Sequence, residues 1–433
     1  MRASACAFAT LAIVALASAP ARGDGTPVSA FRKRPWLQSV EPTGASVRFE
    51  LPQASRAEVA LRGPDGATRT FASGAPVELH AVRLTGLAPS TSYRYEVHAG
   101  EATALGAFTT APADARPFSF ILFGDSRSDA TTHAAVVRAI EGTPSDFLLN
   151  TGDLVERGDD PRQWDELFDL EHRLLASRCM WSVVGNHELI GDRRGPAFAR
   201  YFATGAASGE PRLYDTVRWG DTRFFLLDAM DDWTGPERDW LLARLAESDG
   251  EPGLRHRIVA AHIGPYSSGP HGGNRAMHAA GIVDALRAHH VDLVVAGHDH
   301  AYERGEAEGL KYLVSGGAGA PLYPVARRLP TSAVVESTYH FVEVKIDGPT
   351  IATVVHRLDG SVLESCSFEP GEPWRCGVGA GPAASAPSAP PNAVPTARGQ
   401  RCSCEVAGAA ASGGWGPALA AACLALLRRR RRG

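Results

Sequence analysis

Between Phe118 and His300, five apolar runs each end on a short polar block. Phe118–Phe123 leads into Gly124-Asp125-Ser126-Arg127, Phe147–Leu149 into Asn150-Thr151-Gly152-Asp153, and Met180–Val184 into Gly185-Asn186-His187-Glu188. Arg257–Ala261 leads into His262, and Leu293–Ala296 into Gly297-His298-Asp299-His300. Helix-like stretches at Thr132–Ile140, Pro161–Ala176 and Pro236–Ala246 lie between the runs. Strands alternating with helices imply an α/β layered core with a mainly parallel central part. Later runs at Lys311–Ser315, Tyr339–Ile346 and Ile351–Leu358 read as strands that complete a second sheet.

In an α/β sheet the C-terminal strand ends share one edge, and sites assemble there. Two aspartates, one asparagine and three further histidines therefore converge. Glycine directly before a ligand lets the backbone turn sharply at the strand end. Oxygen and imidazole donors in this mixture suit Fe, Mn or Zn. Charge restricts the partner. The 433 residues carry a net charge of −4, and five of the 44 basic residues are the consecutive Arg428 to Arg432, so the body upstream is more acidic still. No basic field for nucleic acid exists; phosphate chemistry must come from a local site where metals supply the positive charge.

The ordered blocks resemble the calcineurin-like metallophosphoesterase superfamily over Phe118 to Leu358, and Gly297-His298-Asp299-His300-Ala301-Tyr302-Glu303-Arg304 is most similar to the purple acid phosphatase branch. The resemblance implies a four-layer αββα sandwich over 118–368 and two metal ions, Fe, Mn or Zn. Asp153 would bridge them, Asp125 and His300 would hold the first, and Asn186, His262 and His298 the second. A metal-bound hydroxide would attack phosphorus, and His187 would protonate the leaving oxygen. Two positions depart from the pattern. Many superfamily members carry a ligand His where this chain has Arg127, and purple acid phosphatases a Tyr where it has Glu156. Glu156 is then an alternative ligand, and Arg127 either reaches a substrate phosphate or forms a salt bridge. His271, nine residues after His262, matches a substrate-facing histidine of that branch. Tyr302 and Arg304 read as packing residues, His133 and His289-His290 as solvent or cap residues.

The implied activity is a metallophosphoesterase acting on small phosphate monoesters. A phosphodiesterase or nucleotidase on the same core is one alternative; a surface binding module with a decayed metal site is another.

Residues 31–110 read as short strands separated by turns such as Gly63-Pro64-Asp65-Gly66, which makes a small all-β sandwich. The run Leu84 to Tyr95 resembles a fibronectin type III domain with its tyrosine corner, and Thr109 to Pro117 reads as a linker. Residues 1–21, with Arg2, an apolar run and Ala19-Pro20-Ala21, describe a signal peptide. Residues 377–400 are an Ala/Pro/Ser linker. Beyond it lie Cys402-Ser403-Cys404, an apolar stretch from Val406 to Leu427 and the arginine run. That arrangement over 401–433 resembles the MYXO-CTERM sorting signals of myxobacteria, with a plain tail anchor as the alternative. Either implies export, to the cell surface, outer membrane or medium, with membrane contact only through this one transmembrane segment. Cys366 and Cys376 could pair; Cys179 reads as a buried hydrophobe.

Overall fold

The computed structural model describes residues 30–202, 212–230, 233–325 and 327–377. The expected signal peptide and C-terminal sorting motif lie outside the described residues, as does all but Gly377 of the expected linker. Among the described residues no helix is long and apolar enough to cross a membrane.

Seven strands form the N-terminal sandwich. Lys33–Glu41, Gly44–Ser55 and Val77–Thr85 make one sheet; Thr68–Ala72, Glu58–Arg62, Ser92–Ala99 and Ala102–Thr109 make the other. Side chains of Ser92–Ala99 alternate between surface and core, the period-two pattern of a half-buried strand. Tyr93 Oη accepts the Ala88 N–H at 2.9 Å and pins the preceding loop.

From Phe118 onward two seven-stranded sheets face each other. In the first, Cys179–Ser182, Phe147–Asn150 and Phe118–Phe123 run parallel, and His340–Asp347, Thr350–Arg357, Val362–Phe368 and Arg375–Gly377 continue it antiparallel. In the second, Thr222–Leu227, His256–Ala261, Leu293–Ala296 and Leu310–Ser315 run parallel, flanked by antiparallel Asp215–Trp219 on one side and Tyr302–Ala307 and Ser332–Glu336 on the other. The faces follow from residue parity. Phe118, Phe120 and Leu122 point between the sheets toward Phe224, Ile258 and Leu293. Ile121 and Phe123 point outward onto Val136, Ile140 and Leu167 of the helices Ala130–Glu141 and Pro161–Leu175. Phe225 and Val259 do the same toward Leu241 and Leu286 of Pro236–Asp249 and Ile282–Ala288. Helix, sheet, sheet, helix: this is the expected four-layer sandwich.

One expectation needs correcting. Only Leu310–Ser315 joins the second sheet; the strands beginning at His340 and Thr350 extend the first, with Val342 opposite Leu122. An apolar run specifies which faces are buried, not which neighbour a strand pairs with. Cys366 and Cys376 form a disulfide between the last two strands of that sheet, and Cys179 is a buried free thiol.

The sandwich docks on the α/β body. The buried Lys33 ammonium bonds Glu50 Oε2 at 2.8 Å and also reaches Asp165 on Pro161–Leu175. Arg200 meets Glu50 Oε1 at 3.0 Å, Gln38 donates to the Met180 carbonyl, and Tyr95 to that of Ala176.

His340 gives the body a pH dependence. It is buried, its Nδ1–H donates to the Thr338 carbonyl, and its Nε2 lies 3.1 Å from Ser315 Oγ. Burial pushes its pKa down to about 4, whereas the unfolded chain titrates near the ordinary 6.5. The unfolded state therefore binds the extra proton between those values, and stability falls as pH drops through that window. The loss is on the order of 3 kcal/mol by pH 4. Urea midpoints taken in chelator should fall less steeply between pH 7 and pH 4.5 for His340→Asn than for the wild type; parallel profiles would refute the assignment.

Candidate metal centre

All five polar blocks meet at one edge, and Gly152 turns left-handed as expected, at φ 92°, whereas Gly124, Gly185 and Gly297 do not. The left-handed turn is made by the ligands themselves: Asp125, Asp153 and His298 have φ of 58°, 56° and 70°. Such backbone costs about 1–3 kcal/mol per residue and persists where the surroundings enforce it. Here Asp125 N–H donates to the Gly152 carbonyl and Gly297 N–H to that of His262. The glycines provide room. A Cβ on Gly297 would stand 2.4 Å from Asp125 Oδ2, and one on Gly185 2.2 Å from Asp153 Oδ1.

His262 Nδ1–H donates to the Thr151 carbonyl at 2.7 Å, which turns Nε2 into the site. Around that Nε2 stand Asn186 Oδ1 at 3.1 Å, His298 Nδ1 at 3.2 Å and Asp153 Oδ1 at 3.3 Å. Without a cation, Nε2 holds a proton among these groups, and a bound cation would take that proton's place. Burial opposes a proton on His262, but Asp153 and Asp125 outweigh it and push the pKa up to about 10. Burial also disfavours the Asp153 carboxylate, yet His262 and His187 hold it well below the usual range. Burial and the neighbouring His262 take His298 down to about 3. Asp125 Oδ2 accepts the His298 N–H at 2.9 Å, while its buried Oδ1 lacks a hydrogen-bond partner and lies 3.5 Å from His300 Nε2. One ligand atom each from Asp125, Asp153 and His262 lies within 4.8 Å of the other two. The donor set fits a divalent cation.

The remaining predicted residues surround this core. His187 donates its backbone N–H to Asp153 Oδ1 and its Nδ1–H to the Glu156 carbonyl at 2.7 Å, and its Nε2 stands 3.9 Å from Asp153 Oδ2. The exposed His271 lies beside His298, ring centroids 4.5 Å apart. Glu156 is engaged by Arg127 Nη1 at 3.0 Å and by the Ser128 hydroxyl. Arg127 Nε donates to Asp153 Oδ2 at 3.0 Å, and Nη2 lies 3.4 Å from His300 Nε2. A cleft of about 320 Å³ opens here, with Ser126, Arg127, Glu156, Gln163 and Leu170 on its walls.

Two residues went unread and one was misread. Glu188 is buried and accepts the amides of Asp153, Leu154, Val155 and Gly185, which lock two ligand loops together. Tyr323 stacks on His300 with ring centroids 4.0 Å apart and meets His271 Nε2 at 3.4 Å. Its signal was the Gly-rich block Gly316-Gly317-Ala318-Gly319 that follows a strand. His133, expected in solvent, is buried; its ring meets the Ala318 carbonyl at 2.9 Å and Glu171 at 3.0 Å. Tyr302 and Arg304 pack as expected, both on Glu364.

Residues 118–302 match the family model for calcineurin-like phosphoesterases. An uncharacterized protein of Mycobacterium tuberculosis is 28% identical over 325 residues, covering 65% of this chain and 59% of that one. Purple acid phosphatase 23 of Arabidopsis thaliana is 26% identical over 266 residues, covering 52% and 57%. The chain thus spans a little under six-tenths of the length of these relatives. Among solved structures, the purple acid phosphatase PPD1 from yellow lupin seeds shares the fold at TM-score 0.66 and 17% identity, over 77% of this chain and 74% of that one. PhoD shares it at 0.67 and 10%, over 83% and 94%. From Phe118 onward the chain is therefore similar to calcineurin-like phosphoesterases, and purple acid phosphatases are among the proteins it resembles.

Proposed function

We propose that this chain is a metal-dependent, acid phosphatase-like hydrolase of small phosphate monoesters. The observation that carries the reading is the convergence of Asp153 Oδ1, Asn186 Oδ1 and His298 Nδ1 on His262 Nε2 at a sheet edge. Those four residues would hold one cation, while Asp125 and His300 face the place of a second. Bound cations supply Lewis acidity toward the phosphate ester and acidify water. The chain's own groups do the rest. His187, its ring fixed by the Glu156 carbonyl, presents Nε2 to the site as the acid for the leaving oxygen. His271 lies where it can bind a phosphate oxygen, and the cleft beside Arg127 has room for the ester's organic group. The names of the Arabidopsis relatives support phosphatase activity.

The metal-loaded protein should turn over p-nitrophenyl phosphate faster than its bis-ester and lose both activities in chelator. A preference for the bis-ester would instead favour the phosphodiesterase reading. His187→Ala should lower turnover about a hundredfold for alkyl phosphates with poor leaving groups. The loss should be much smaller for p-nitrophenyl phosphate, whose leaving group needs little protonation; equal losses would mean that His187 only orients its neighbours.

The sandwich is proposed to be fibronectin type III-like, supported by the Tyr93 bond to Ala88. Export to the cell surface is proposed from residues 1–21 and 401–433. Detection of the chain on intact cells by surface proteolysis would test it.

A further inference from the structure

We propose that the Arg127 guanidinium takes the place of the first metal ion, so that the centre holds a single cation on Asp153, Asn186, His262 and His298. The inference rests on the metal-dependent reading above.

Arg127 lies two residues after Asp125 and is mostly buried, with 11% of its side chain exposed. Its three nitrogens are spread over the groups that would ring a first cation. Nε meets Asp153 Oδ2 at 3.0 Å, Nη1 meets Glu156 Oε2 at 3.0 Å and Nη2 approaches His300 Nε2 at 3.4 Å. His300 Nδ1–H donates to the Pro321 carbonyl at 2.6 Å, so the Nε2 facing Arg127 carries a lone pair. That lone pair and Asp153 Oδ2 are two of the three groups a first metal would need, and an arginine donor faces each; the third, Asp125 Oδ1, lies 3.5 Å from His300 Nε2.

A guanidinium has only donors and does not deprotonate in proteins, so it cannot be a ligand. It can only stand in for the ion as a fixed positive charge. The far side of the group is held too, since Nη1 also meets Ser128 Oγ at 3.0 Å and Ser128 bonds Glu156. A divalent ion entering here would break these charge-assisted bonds and face a like charge at close range. The second position carries no such obstacle. Around His262 Nε2 stand Asn186 Oδ1, His298 Nδ1 and Asp153 Oδ1, and the proton that His262 holds without metal can leave when a cation binds, as an arginine's cannot. Tyr323, stacked on His300, closes the first position from the other face.

Titration of the metal-free full chain with Mn(II), following the electron paramagnetic resonance signal of the free ion, tests this without reference to activity. The wild type should saturate at one ion per chain, with no exchange-coupled spectrum at saturation. Arg127→Ala and Arg127→His should each take up two ions, with the coupled multiline signal of neighbouring ions. Two ions in the wild type would overturn the proposal and leave the hydrolase reading standing. One ion in both folded variants would also overturn it, since Arg127 would not be what excludes the other. No binding by any of the three proteins would overturn both readings. The wild-type stoichiometry alone remains decisive if the variants do not fold.

Discussion

Asp153→Asn should lower phosphoester turnover on the order of a thousandfold and weaken cation binding in the same preparation. The carboxylate uses both oxygens: Oδ1 faces His262 Nε2 and accepts the His187 amide, and Oδ2 accepts from Arg127. An amide offers one acceptor. Whichever way it is turned, its NH2 group meets a donor, either the His187 N–H or Arg127 Nε–H, so the variant loses a contact and adds a clash. The site also loses the charge that favours a cation beside His262. Steady-state rates at saturating metal and metal content by mass spectrometry should fall together. A wild-type rate would mean that the centre has been misplaced.

Glu188→Ala should be the most destabilising single change at the site, costing at least about 4 kcal/mol. It leaves four backbone amides without their acceptor, at Asp153, Leu154, Val155 and Gly185, in a place closed to water. Burial and the neighbouring Asp153 raise the Glu188 pKa to about 7, so its charge matters less than its two acceptor oxygens. Glu188→Gln keeps one of them and should lie between wild type and Ala in urea unfolding. Activity should fall with both variants, because the released loops carry Asp153 and Asn186. A cost under about 1 kcal/mol for the Ala variant would show that the amides find other partners.

Much of this centre could be read from the sequence because its ligands announce themselves locally. Each stands directly after an apolar run, and the runs at Phe118–Phe123 and Leu293–Ala296 coincide with the strands observed. What could not be read depends on who meets whom across long separations. Strands from both sheets present the same apolar pattern, so nothing in Tyr339–Ile346 says that Val342 will lie opposite Leu122. Glu188 looked like the tail of a histidine motif; its role exists only once the Asp153 loop folds over it. His133 lies in an amphipathic helix, and its burial depends on Glu171 from the next helix and on a carbonyl 185 residues away. Arg127 was visible as a departure from a pattern, but its partners come from two distant segments, one holding Asp153 and Glu156 and the other His300.

The ion cluster that joins the buried Lys33 and Glu50 to Asp165 and Arg200 has a consequence for anyone cutting this chain. Asp165 sits on the helix that also contributes Gln163 and Leu170 to the cleft wall. A truncation beginning at Phe118 would remove Lys33 and Glu50, strand Arg200 and Asp165 without their counter-charges, and bare the outer flank of that helix. The chemistry could be lost although every ligand was kept. For cloning, the sandwich and the α/β body are best kept as one piece.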